Sequence, residues 1–343
     1  MSLAGHYWTV VPRFRALPPE PPSVPWSLAV DDPALGTVRL SGRWSEAPGA
    51  REALLLLHGL AGCADSRYAR LGAAAALEQG MSCLRFNMRG SDLAGEDYYH
   101  AGLSGDLARA LDSPELAGCE RVHVLGYSLG GHLALRLAAV DRPPRLGAVA
   151  AVCAPLDLAA SQAAIDRPAA AVYRLFVLRG LKAIYAAVAA RRAVPLPAAE
   201  VRRIRTIREW DERVVAPRWG FAGAADYYRR ASVAPHLGTL SVPALLVAAE
   251  DDPMVPAETL RPVVEALPEP AGEPGLTVRW LRGAGHLGFP RGLRLERGRG
   301  AGVAAQAGWS DAMEAGLDAQ LVSWLQRRGR LAELAAPAAA ASG

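Results

Sequence analysis

One stretch constrains the fold of this chain more than any other: Arg121 to Ala138, RVHVLGYSLGGHLALRLA. An apolar run with a charged start leads into Gly-Tyr-Ser-Leu-Gly-Gly, and a Leu/Ala-rich segment follows. Glycine weakens strands and helices alike, so its concentration at such a junction marks a backbone geometry that side chains would obstruct. GYSLG fits G-x-S-x-G, the strained strand-to-helix turn that holds a serine hydroxyl out above a sheet. Gly126 and Gly130 let neighbouring backbone approach, and Ser128 becomes the candidate nucleophile. The same five residues also describe an ordinary glycine-rich turn, so their meaning depends on what surrounds them.

From about residue 52 onward, short apolar runs alternate with longer helical patterns, which predicts parallel βαβ construction. Strands are expected at Ala53 to Leu57, Met81 to Phe86, Arg121 to Leu125, Leu146 to Cys153, Ala244 to Ala249 and Leu276 to Leu281. Helices are expected at about 66–79, 103–112, 129–140, 257–266 and 309–327. Runs such as ALLLL and PALLVAA suit an α/β protein with a mostly parallel central sheet covered by helices on both faces. Residues 1–50, with their proline cluster LPPEPPSVP, are expected to add a pair of antiparallel edge strands. From about Ala159 to Leu240 the pattern turns helical and arginine-rich and separates two strands that one short helix would otherwise join. The expected organisation is an N-terminal segment (1–50), a core (51–158 and 241–330), a helical lid or cap insertion (159–240) and a flexible low-complexity tail (331–343).

A serine hydroxyl becomes an effective nucleophile only when a base takes its proton and a third group holds that base. After PALLVAA comes EDDPMVP, which sets Asp251 and Asp252 at the C-terminal end of a strand, where open α/β sheets keep functional groups. Both aspartates are candidates for the acid. After TVRWL comes RGAGHLGF, with His286 in a glycine-rich loop just beyond a strand. In LLLLHGLAG a strand ends in His58 and Gly59, and the amide of the next residue, Leu60, can pair with that of Leu129 to hold an oxyanion. His58 is expected to orient this loop by hydrogen bonding. His123, inside a strand, and His132, on the helix after Ser128, read as packed groups, while His6, His100 and His236 lack a strand-end context.

A chain of 343 residues that is 51% hydrophobic can bury a large core. Its net charge of +4 comes from arginine, with Lys182 the only lysine, and no nucleic-acid reader motif accompanies it. Nucleic acid is therefore not an expected partner. Cys63, Cys83, Cys119 and Cys153 show no CxxC spacing and read as core thiols, which argues against a metal cluster or redox motif, and the serine, acid and histidine chemistry implies no metal or organic cofactor. The first residues carry no signal-peptide pattern, and the expectation is a cytoplasmic protein. Residues 165–240 hold fourteen Lys/Arg against six Asp/Glu. Weak peripheral membrane contact through this basic lid is one expectation, and a packed cap with a solvated basic face is the plainer one.

LHGL, GYSLGG, EDDPMVP and GAGHLGF, in that order, resemble the α/β-hydrolases. GHYWTVVPR, FNMRGS with YYHAG, and REWDERVVAPRWGFAGAADYYRRASVAPHL resemble the YheT-like branch, which includes esterases and acylglycerol or phospholipid hydrolases. The resemblance implies the α/β-hydrolase fold with a helical lid, Ser128 as nucleophile and His286 as base. It favours Asp252 over Asp251 as acid, because the family acid stands immediately before a Pro-x-Val type stretch, here PMV. The activity implied is that of a serine esterase cleaving small-molecule carboxylic esters, with an apolar or lipid-like part, through an acyl-enzyme. Transfer of the acyl group to an alcohol, or a binding protein that has lost catalysis on the same fold, are the alternatives. A histidine base must be neutral to accept the proton, so activity is expected to fall as the medium becomes acidic.

Overall fold

The computed structural model describes residues 2–268, 274–290, 292–295 and 316–335. In it the apolar runs pair into one sheet of β1 (Val24–Asp32), β2 (Gly36–Ser45), β3 (Glu52–Leu57), β4 (Ser82–Asn87), β5 (Arg121–Tyr127), β6 (Leu146–Val152), β7 (Ala244–Ala249) and β8 (Leu276–Leu281). Their spatial order is β1-β2-β4-β3-β5-β6-β7-β8. β2 runs antiparallel to β1 and β4, and every other pairing is parallel. The six strands expected from the sequence are all present, two with the expected ends and the others with ends moved by at most two residues.

β6 and β7 are apolar and buried at every position because both faces of the sheet are covered, and β4 and β5 are buried nearly throughout as well, with Arg85, Asn87 and His123 among the buried polar exceptions. Alternation along β3 divides the core. Leu55 and Leu57 face Leu107 of α3 (Gly105–Leu111) and Leu133 of α4 (Leu129–Arg136). Leu54 and Leu56 face Ala69 and Ala73 of α2 (Arg67–Glu78) and Leu321 and Leu325 of a C-terminal helix (Leu317–Ala335). Each such leucine contributes about 1.5–3 kcal/mol by leaving water.

The first 50 residues supply the expected antiparallel pair at one edge of the sheet, with β1 outermost and β2 against β4, and a helix precedes them. That helix, α1 (Leu3–Val10), is capped by Ser2, whose Oγ accepts the Gly5 N–H at 3.1 Å, and a 3-10 turn continues it over Val11–Phe14. Eight residues are too few to be helical alone in water, so tertiary contacts hold it. The C-terminal helix runs to Ala335, into the stretch expected to fray, because alanine is the best helix former. Residues 309–315 and 336–343 of those expectations lie outside the described residues.

Between β6 and β7 stand α5 (Leu158–Ile165), α6 (Ala171–Ala189), α7 (Ala198–Arg203), α8 (Ile207–Trp210), α9 (Ala216–Trp219) and α10 (Ala224–Ala231). A buried ion network ties this helical insertion to the sheet. Arg218 of α9 reaches Asp97 at 2.7 Å, and Arg89 reaches Asp32 of β1 at 2.6 Å, Asp97 at 3.1 Å and Asp106 of α3 at 2.7 Å. Asp106 has Arg89 as its one counter-charge among the described residues, so removing Arg89 would strand a buried carboxylate, whereas Asp32 and Asp97 are shared with Arg218. No helix among the described residues is long and apolar enough to cross a membrane.

Candidate active site

Strand β5 ends at Tyr127 and α4 begins at Leu129, so Ser128 is the whole turn, and it takes φ 52° and ψ −120°. Such backbone on a non-glycine residue costs about 1–3 kcal/mol and persists only where surroundings impose it. Here the Ser128 N–H donates to Val152 O at 2.8 Å, and the Ser128 carbonyl accepts from the N–H groups of Gly131 (2.9 Å) and His132 (3.1 Å). A Cβ on Gly130 would lie 2.5 Å from His58 O, and one on Gly126 would lie 2.2 Å from Gly130 O. The glycines let the end of β3 touch the start of α4.

Asp252 follows β7, His286 follows β8, and both are buried. His286 Nδ1 and Asp252 Oδ2 are 2.8 Å apart. The other carboxylate oxygen, Oδ1, accepts the N–H groups of Met254 at 2.8 Å and Val255 at 2.9 Å, which fixes its direction. Of the two adjacent aspartates, the structure thus pairs Asp252 with the imidazole. With Nδ1 committed to Asp252, Nε2 is the nitrogen left to act as a base. Ser128 and His286 line one cavity. No hydrogen bond joins them in this conformation, as is common for such pairs before substrate binds.

Cys153, with φ 49°, completes a buried trio with Asp252 and His286 whose donor atoms lie within 4.8 Å of one another. These residue types can hold a metal, but both Asp252 oxygens already accept hydrogen bonds and burial pushes the Cys153 thiol well above its ordinary value. A neutral thiol is a poor ligand, and the donor set fits an acid–base pair better than a metal centre.

The His58–Ala61 loop lies against the elbow. A Cβ on Gly59 would meet Ser128 Cβ at 3.0 Å. Burial lowers the His58 pKa to about 4. The ring is therefore neutral: its Nε2 accepts the Met88 N–H at 3.1 Å, which leaves Nδ1–H to donate to Gly59 O at 2.8 Å. The amides of Gly59 and Ala61 donate to the hydroxyls of Tyr68 and Tyr99, each at 2.9 Å. Leu60, between them, and Leu129 both line the cavity. Neither of their N–H groups meets a protein acceptor among the described residues.

Sequence reasoning did not find the part of the site contributed by α1. The His286 N–H donates to Thr9 Oγ1 at 2.8 Å, and the Thr9 hydroxyl donates on to Gly5 O at 2.7 Å. A Cβ on Gly288 would fall 1.7 Å from Trp8 O, so helix backbone rests directly on the histidine loop. Nothing in the local pattern around Thr9 signals a partner 277 residues away. Two residues of the insertion were also missed as cavity wall. Asp211 accepts the Tyr228 hydroxyl at 2.7 Å, both line the cavity, and burial raises the Asp211 carboxyl to about 7. His100 lines it too; its ring packs on Trp219 at 4.6 Å, and burial lowers its pKa to about 3. His123 is buried in the sheet, and His132 lies between Pro155 O and Ala231 O, each at 2.9 Å.

The cavity measures about 580 Å³. Leu158, Ile165, Val177, Leu181 and Ile207 of the insertion give it apolar walls.

The family described as the alpha/beta hydrolase fold matches residues 52–292. The chain is 32% identical over 264 residues to "Putative esterase YheT" of Escherichia coli (strain K12), covering 74% of this chain and 75% of that one. It is 26% identical over 260 residues to "Phospholipase ABHD3" of Homo sapiens, covering 71% of this chain and 60% of that one. Among solved structures it is similar to the Pyrococcus furiosus esterase Pf2001, with 17% identity, a TM-score of 0.51, and coverage of 79% of this chain and 87% of that one, a likeness of fold.

Proposed function

The chain belongs to the α/β-hydrolase fold family, and from that premise we propose that it is a serine esterase cleaving carboxylic esters with an apolar, lipid-like acyl part. The observation that carries this reading is the Asp252–His286 pair, 2.8 Å apart, opening onto the same apolar cavity as the strained Ser128. Asp252 holds the imidazole with its proton on Nδ1, so Nε2 takes the Ser128 proton as Oγ bonds to the ester carbonyl carbon. The carbonyl oxygen gains the negative charge. The N–H groups of Leu60 and Leu129, the latter at the positive end of α4, stabilise it, each donor contributing about 3–4 kcal/mol. Collapse breaks the bond to the alcohol, which leaves with the proton from Nε2. Water then gives its proton to Nε2, attacks the acyl-enzyme and releases the acid, restoring Ser128.

The apolar walls support a fatty acyl chain, and the relative named a phospholipase supports a lipid ester. The test is a series of p-nitrophenyl esters of increasing chain length, run on wild type and Ser128→Ala, together with a fluorophosphonate probe. Wild type should be labelled at Ser128 and prefer chains longer than acetyl. Ser128→Ala should lose at least about 10⁴-fold in kcat. A wild-type protein left unlabelled beside a labelled control hydrolase overturns the reading.

A further inference from the structure

Large apolar side chains stand in water at few places among the described residues, and most of them gather at the cavity mouth. Leu3 is 89% exposed, Phe14 83%, Val172 73% and Leu175 55%; Tyr7, Val10, Leu17 and Phe176 are exposed as well. On α1, residues 3, 7 and 10 share one helix face, opposite the Gly5 and Thr9 face that packs on the histidine loop. On α6, Val172, Leu175 and Phe176 share one face, opposite buried Val177, Leu181 and Ile184. The two stripes adjoin: the Arg13 guanidinium lies 4.1 Å over the Phe176 ring, and the His6 and Tyr173 rings stack at 5.8 Å. Arg13, Leu17 and Phe176 also line the cavity that holds Ser128, so the stripes form its rim.

We propose that this rim is a docking face for an anionic lipid surface. A contiguous exposed apolar patch on a soluble fold marks an interaction site, and amphipathic helices with arginine beside the apolar face suit a lipid interface. The charge selects the partner. Residues 3–17 carry the exposed Arg13 and Arg15 and no acid, and α6 adds the exposed Arg179 and no acid, while its Arg174 and Lys182 are bonded to carbonyls of the insertion. Apolar side chains enter the acyl region while the cations meet phosphate. A second copy of this chain would bring two cationic faces together, which disfavours self-association. The inference deepens the esterase reading and rests on it only for what the surface delivers, namely lipid ester at the mouth of the cavity.

The experiment is co-sedimentation of full-length protein with phosphatidylglycerol and with phosphatidylcholine vesicles, beside Ser128→Ala, Phe14→Glu with Leu175→Glu, and the milder Phe14→Ser. Phe14 and Leu175 do not line the cavity. Wild type and Ser128→Ala should bind phosphatidylglycerol alike, with less binding to phosphatidylcholine and a blue shift of tryptophan emission, Trp8 being on α1. The double glutamate variant should lose about tenfold or more in partitioning, Phe14→Ser less, with unchanged kcat/KM on a soluble short-chain ester. No vesicle binding by wild type, or equal binding by the glutamate variant, overturns the proposal. So does a wild-type dimer in solution that Phe14→Glu dissolves, since a second copy would then cover the face. Vesicle binding by a protein that no fluorophosphonate labels would sink the esterase reading and leave the docking face standing.

Discussion

The nucleophile and the base are positioned by opposite means. Ser128 sits between two regular elements, and its backbone is held by hydrogen bonds to β6 and to the first turn of its own helix. His286 sits in a loop whose backbone is held by Thr9, on an eight-residue helix from the other end of the chain. The first arrangement cannot be disturbed without disturbing the sheet. The second can be, because α1 lies outside the strand ladder and meets the site by close backbone contact. Activity and stability should therefore fall together at the elbow and separate at α1.

The largest effect after Ser128→Ala itself is expected at Asp252→Asn. The asparagine oxygen can still accept from Met254 and Val255, but its NH2 then faces His286 Nδ1 and forces the proton to the other ring nitrogen. The wrong tautomer should lower kcat by about 10⁴-fold with little change in melting temperature. An active Asp252→Asn protein would break the assignment of acid and base. Gly130→Ala tests the other side of the comparison: its Cβ would lie 2.5 Å from His58 O, so a destabilisation of about 1–3 kcal/mol should accompany the loss of rate. Full stability with lost activity would show the elbow to be less tightly coupled to the sheet than its contacts indicate.

The same contrast explains what was legible in the sequence. The strands announce themselves because burial on both faces makes them mostly apolar, and functional groups at strand ends inherit that clarity: Ser128, His286 and the His58 loop all lie where the runs stop. Asp251 and Asp252 are chemically identical neighbours, so residue types alone leave both open, and the pairing at 2.8 Å depends on a turn fixed by two amides. Helix α1 is illegible for a different reason. LAGHYWTV has no acidic residue in its first turn and is short, and what makes it helical lies in loops near residues 251 and 288. Asp211 and Tyr228 reach the cavity only through the folding of the insertion, which no periodicity reveals.

Thr9→Val sharpens the comparison where separation is expected. Valine keeps the volume and removes the acceptor, leaving a buried His286 N–H unpaired, which costs about 1–3 kcal/mol locally. The loop shifts to relieve it, and displacement of the base should lower kcat by about 10- to 100-fold with KM for short esters nearly unchanged. Thr9→Ser restores the acceptor and should restore the rate. A Thr9→Val protein that melts lower but retains wild-type kcat per folded molecule would reduce α1 to a structural strap.

The smallest effect on rate is expected at Asp211→Asn, since Asp211 lines the cavity wall and lies outside the Ser128, His286 and Asp252 set; its mark should appear in stability against pH. Burial raises this carboxyl from an ordinary 3.8 to about 7, and the neighbouring charge of Asp166 adds to the rise. Between those values the unfolded chain has lost the proton that the folded chain keeps, so wild-type stability should decline as pH rises from about 4 to about 7 and level off above. Asparagine does not titrate, and its oxygen can still accept the Tyr228 hydroxyl. The variant should therefore gain on wild type across that interval, by at most about 4 kcal/mol. Urea unfolding of both proteins at pH 5 and pH 8 measures it. A wild-type-to-variant difference that is the same at both values would mean that the insertion leaves Asp211 in contact with water, and that the wall there is looser than the one behind His286.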